Sequence, residues 1–138
     1  MIQHDMMLYD HGLPPGPTQR PGADINIDYQ ANSKFAAQSK QLADIVATGA
    51  RTHAKDYPPT VGNNMAGTDC EPFQDVAPAI SVREARRVEE ILRGSNPNHH
   101  QPTDLPESYS DLDYRLGFNA LETTLGTVAA LAGARLGP

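Results

Sequence analysis

The sequence predicts a mainly α protein. About three helices, near residues 33–53, 81–93 and 110–135, are strung on long extended Pro/Gly-rich segments, in a non-compact or partner-dependent arrangement. Two observations carry that expectation. The twelve prolines, at 14, 15, 17, 21, 58, 59, 72, 78, 97, 102, 106 and 138, leave three long proline-free windows, 22–57, 79–96 and 107–137. Proline removes a backbone donor and clashes with the preceding helical turn, so helices belong in those windows. Leu, Ile, Val and Phe together supply 26 of the 138 residues, about 19%, just under the ~20% where globular chains shade into disorder. A net charge of −6 is too small to swell the chain into a coil. Such a chain has enough apolar surface for helices and little for an autonomous core.

The first window predicts a helix from about Ser33 to His53, with Asn32 or Ser33 as its N-cap. Phe35, Leu42, Ile45 and Val46 follow helical spacing, and Ala36, Ala43, Ala47 and Ala50 form a smooth stripe beside them. Large and small residues side by side suit close helix–helix contact.

In the second window Ser81 and Glu84 match the S-x-x-E capping box. Val82, Ala85, Val88, Ile91 and Leu92 make one apolar face, and Gly94 and Pro97 supply a stop. These features predict a helix from Val82 to Arg93.

The third window is capped by Ser108 or Ser110, with Asp111 and Asp113 favouring the helix dipole. Leu112, Leu116, Leu121, Leu125, Val128 and Leu131 recur at threes and fours, and the small-residue run from Gly126 to Ala134 admits a second backbone at close range. The organisation expected is an extended N-terminal arm over 1–31, with its run LPPGPTQRPG, followed by a helical region over 32–138 with irregular linkers at 56–79 and 95–107.

Candidate chemistry is sparse. Seventeen carboxylates against eleven Lys and Arg argue against binding nucleic acid through phosphate neutralisation. The basic cluster Arg83, Arg86, Arg87 and Arg93 alternates with Glu84, Glu89 and Glu90, the pattern of intrahelical ion pairs. Cys70 is the single cysteine, flanked by Asp69 and Glu71, which disfavour a thiolate. His4, Asp5, Asp10 and His11 form one metal-like cluster and His99, His100, Asp104 and Glu107 another. Neither shows ligands at rigid helical spacing, so they read as solvated loop histidines. No phosphate loop, dinucleotide fingerprint or nucleophile elbow is present. The reading assigns no catalytic residue, metal or cofactor, and no specific nucleic acid as a partner.

The start of the chain lacks the basic flank and apolar run of a signal peptide, and no stretch is apolar enough for a stable membrane span. The functional expectation is a non-enzymatic assembly subunit: a minor virion protein of bacteriophage type, made in the host cytoplasm, that staples neighbouring subunits by its arm and helices. An extended arm of that length reaches ~95 Å at polyproline rise. The alternatives are an accessory subunit of a large cellular complex, cytoplasmic, and a small metal-dependent enzyme using the His/Asp clusters. The partners expected are other protein subunits, a second copy included. Their interface is assigned to Leu13, Pro14, Pro15 and Pro17 on the arm, and to Leu121, Leu125, Gly126, Val128, Leu131 and Gly133 on the third helix.

Overall fold

A computed structural model describes residues 1–9, 25–84 and 96–134. Among them the elements run β1 (Ile2–Asp5), β2 (Ile25–Asp28), α1 (Ala36–His53), β3 (Pro59–Gly62), β4 (Ile80–Arg83) and α2 (Asp111–Leu131), with single 3₁₀ turns at Glu71–Phe73 and Pro106–Ser108. This is a compact α/β fold with two helices over a four-stranded mixed sheet, not three helices on extended segments.

The strand order is β1-β4-β2-β3. β1 runs parallel to β4, β2 parallel to β3, and β2 antiparallel to β4. β2–α1–β3 is therefore a βαβ crossover, the connection that parallel strands require. Both central strands alternate apolar and polar, Ile25-Asn26-Ile27-Asp28 and Ile80-Ser81-Val82-Arg83. Ile27 stands opposite Val82, and Asn26 opposite Arg83, so like faces like.

The apolar face packs under the helices. Ile25, Ile27, Ile80 and Val82 form one core with Ala43, Val46 and Ala47 of α1, Tyr57, and Leu116 and Ala120 of α2. Each fully buried Ile, Leu or Val there contributes ~1.5–3 kcal/mol of transfer free energy. The opposite face is polar yet equally enclosed, with Asn26, Asp28, Ser81 and Arg83 all at most 3% exposed. On that face the Nε of Arg83 lies 3.2 Å from Oδ2 of Asp28. The Asp28 carboxylate lies so close over Gly62 that any side chain there would run into its Oδ1.

Three sequence expectations are overturned. The helix from Val82 to Arg93 begins instead as a strand: Ser81 is a buried residue of β4, and Arg83 pairs with Asp28 across the sheet rather than along a helix. Residues 85–93 lie outside the described residues. β-Branched Ile80 and Val82 fit a pleated, covered strand, and a central place between β1 and β2 satisfies their backbone groups better than a helix start would. Nor does the segment 1–31 hang free at its ends, since Ile2–Asp5 and Ile25–Asp28 both pair within the chain's own sheet. Finally, the 56–79 segment is not merely irregular. It contributes β3 and a small buried cluster of Met65, Cys70 and Ala79.

Two helices occupy the first and third proline-free windows. α1 begins at Ala36, with Phe35 at its N-cap and no side-chain cap, so neither Asn32 nor Ser33 plays that part. α2 is capped by Ser110. Its hydroxyl accepts from the Asp113 amide, and the Asp113 carboxylate accepts from the Ser110 amide at 2.7 Å. Such a cap contributes ~1 kcal/mol. At the far end Gly133 takes φ +70°, and the amides of Gly133 and Ala134 donate to the carbonyls of Ala130 and Ala129. That pair of bonds is a Schellman closure, which needs a residue able to adopt a left-handed conformation.

Candidate functional site

Two regions hold features that the fold alone does not require. The first is the outer face of α2. The helix turns its small and polar side inward: Leu116, Asn119, Ala120, Thr123 and Thr127 are buried. Thr123 and Thr127 satisfy their hydroxyls on the carbonyls four residues back, at 2.8 and 2.7 Å. This shape matches α1, where a side chain on Gly49 would strike the Thr127 hydroxyl.

The larger residues face out. Phe118 is 66% exposed, Leu121 52%, Leu125 67%, Val128 47% and Leu131 55%. Five large apolar side chains in one stripe expose on the order of 500 Å², the size at which a surface patch of a folded chain marks an interaction site. A shallow groove of about 560 Å³ between the two helices, lined by Ile45, Thr48, His53, Thr127 and Ala130, ends at Leu131.

The glycines of the expected interface serve the chain itself. Gly126 faces His53 of α1, and a Cβ on it would come within 3.0 Å of the His53 Cβ and closer still to the ring. Gly126→Leu is therefore expected to destabilise the α1–α2 contact by ~1–3 kcal/mol, the range for overpacking, as a chemical-denaturation midpoint would show. The space beside Gly126 is already filled by His53 of the chain's own α1. Gly133 is the C-terminal stop of α2, with open space around it. Leu13, Pro14, Pro15 and Pro17 lie outside the described residues.

The second region is the polar end of the sheet, where the parallel strands β1 and β4 finish side by side. Ligands of α/β sheets commonly bind at such carboxyl ends. Glu84, the residue after β4, is 1% exposed. Its amide donates to the carbonyl of Met6 at 2.9 Å. Met6 follows β1 and has φ +50°, a left-handed conformation uncommon outside glycine. Burial pushes the Glu84 carboxyl up to about 8, against the opposing pull of hydrogen bonds from the Asn96 side chain and the amides of Tyr9 and Leu8. Asp113, at the start of α2, adds to the upward push. Burial and the charges of Asp113 and Glu84 also raise the Tyr9 phenol. A carboxylic acid that keeps its proton at neutral pH can donate it, the property of a general acid.

Of the two metal-like groups read as solvated loop residues, the first contributes two members to a strand. His4 and Asp5 are adjacent in β1 and lie on opposite faces of the sheet, and the Nε2 of His4 meets the Thr124 hydroxyl of α2 at 2.7 Å. Asp10 and His11 are outside the described residues. His99 and His100 stack on one another at 3.9 Å, His100 with φ +56°, while Asp104 accepts a hydrogen bond from the Tyr109 hydroxyl. Among the described residues no three His, Cys, Asp or Glu side chains come close enough to share an ion. Cys70 is fully buried, its thiol 3.2 Å from the sulfur of Met65 and 3.3 Å from the Thr68 hydroxyl. Burial raises its pKa, which keeps the sulfur unreactive.

Among the described residues no helix is long and apolar enough to cross a membrane. Comparison with protein-family models, curated proteins and solved structures finds no match to this chain.

Proposed function

We propose that this chain is a non-enzymatic assembly subunit that acts by docking the outer face of α2 onto another protein chain. One observation carries the reading: Phe118, Leu121, Leu125, Val128 and Leu131 stand about half exposed or more on a helix whose opposite side is already packed. Water-exposed stripes of that size are costly to leave bare, since each side chain forfeits roughly half of the ~1.5–3 kcal/mol that full burial contributes. The proposed role is assembly in general. The virion setting drew its support from an arm lacing neighbouring subunits, and both ends of that segment pair within the chain's own sheet.

The test is a pair of charges. Phe118→Glu with Leu125→Glu is expected to leave the melting temperature within about 2–3 °C of the parent, as for exposed positions generally. It should also abolish the fluorescence of a hydrophobic-surface dye bound to the parent protein at a concentration low enough to leave the stripe uncovered. A steep loss of thermal stability would show that the stripe serves the chain's own fold, and the docking role would fall.

A second reading is favoured by Glu84 alone. A buried carboxyl with a pKa of about 8 at the carboxyl ends of two parallel strands is the equipment of an enzyme that moves a proton.

A further inference from the structure

The docking proposal leaves the partner open, and the placement of α2 over the sheet narrows it. α1 packs across β2 and β3. α2 rides on the β1 side: Thr124 meets His4, and a Cβ at Gly117 would lie 2.8 Å from Leu8 and 3.3 Å from the Met7 carbonyl. The sheet ends at β1, which pairs only with β4 among the described residues. Among the described residues the helical layer ends at α2. At ~100° per residue, Leu121, Leu125 and Val128 lie ~100–160° around the helix from Gly126, a residue that faces α1. The stripe therefore points to where the next helix of the layer would stand. Among the described residues both layers stop on the same side.

The opposite side is finished differently. β3 opens with Pro59, preceded by Pro58, and prolines on an edge strand prevent further pairing. The only large apolar residue that α1 exposes is Ile45, at 37%.

Resting on the docking reading above, we infer that the occupant is a second copy of this chain, joined across β1 by a two-fold axis normal to the sheet. That symmetry continues the sheet through antiparallel β1–β1 pairing and keeps both α2 helices on the same face, stripe against stripe. It is an isologous contact that closes on itself. The register follows from the pleat. Opposed residues of antiparallel strands share a face, so a two-fold must set one residue of β1 opposite itself. The Ile80 amide donates to the Met1 carbonyl, so by alternation the amides and carbonyls of Ile2 and His4 point to the open edge. Met6, with φ +50°, ends the strand. The longest pairing then sets Gln3 against Gln3 of the second copy, with Ile2 and His4 exchanging both backbone hydrogen bonds. Two stripes bury roughly 1,000 Å² between them before the strands are counted, reaching the range of specific interfaces.

Sedimentation equilibrium on the full chain tests this. The parent is expected to be a dimer. Leu121→Glu should yield a monomer with an unchanged circular-dichroism spectrum. His4→Pro removes an edge donor that the chain's own sheet does not use, and should weaken dimerisation roughly tenfold or more. A parent that stays monomeric at high concentration, or a dimer indifferent to both substitutions, overturns the inference. A monomer whose dye fluorescence is still lost on Phe118→Glu with Leu125→Glu overturns only the second copy as occupant. A monomer that binds no dye overturns the docking reading as well.

Discussion

Replacing Arg83 with Leu is expected to lower stability by about 3–5 kcal/mol, the loss seen when one partner of a buried ion pair is removed. Arg83 is fully buried and Asp28 is 3% exposed, in the middle of a sheet covered on both faces. The substitution leaves a carboxylate where solvent cannot reach it, pressed between Gly62 and the neighbouring strand. The companion change decides whether charge or volume is responsible. Arg83→Leu with Asp28→Leu should recover much of the loss, because a buried pair exchanged for apolar residues of similar size is often near neutral. Urea denaturation of the parent, both single variants and the double closes the cycle. A single-variant cost under ~1 kcal/mol would mean that the pair carries little of the fold.

Glu84 should make the protein less stable as the pH rises. Its carboxyl titrates at about 8 in the folded chain, against an ordinary value of 4.5. Below 4.5 both states hold the proton and the group has no effect. Between 4.5 and 8 the unfolded chain releases its proton and the folded chain keeps it, so each pH unit removes ~1.4 kcal/mol of stability. Above 8 both are ionised and the loss levels off. Across that interval the group accounts for about 5 kcal/mol, a sizeable share of a small domain's net stability. Glu84→Gln is expected to flatten the profile between pH 5 and 8, read as denaturation midpoints across the range. An unchanged slope in the variant would assign the pH dependence elsewhere, and would also take from the proton-transfer reading its acid.

How far this structure was legible depended on length and on locality. α1 and α2 fill long proline-free stretches, and their periods lie within a few residues, so sequence alone located them, with a cap read correctly only for α2. The strands are four residues each, too short for alternation to outweigh competing local patterns. Ile25-Asn26-Ile27-Asp28 and Ile80-Ser81-Val82-Arg83 do alternate, and that was the available signal. It was masked by the serine and glutamate at 81 and 84, which mimic a helix start. Alternation also implies one wet face, whereas the polar members here are enclosed. Seeing that needs the pairing of Asp28 with Arg83, a contact between distant parts of the chain. α2 presented a different ambiguity. Its period shows apolar residues on two sides, and volume decides between them. The close approach at Gly49 and Gly126 admits threonine and alanine inward and turns the leucines out. The Glu84 site was invisible because it forms only where β1 and β4 end together.

The order of the strands bears on how the chain comes into being. β4 lies inside the sheet, between β1 and β2, although it is the last of the four to be synthesised. At ~5–20 residues per second, roughly 4–16 s separate the making of β1 from the making of its only sheet partner among the described residues. Through that interval β2 and β3 can close their crossover, while the first strand waits on the nascent chain and β2 keeps one edge bare. The sheet is completed by insertion rather than by accretion. Chaperone capture or mispairing at the bare edge of β2 therefore has its opportunity before Ile80–Arg83 leaves the ribosome.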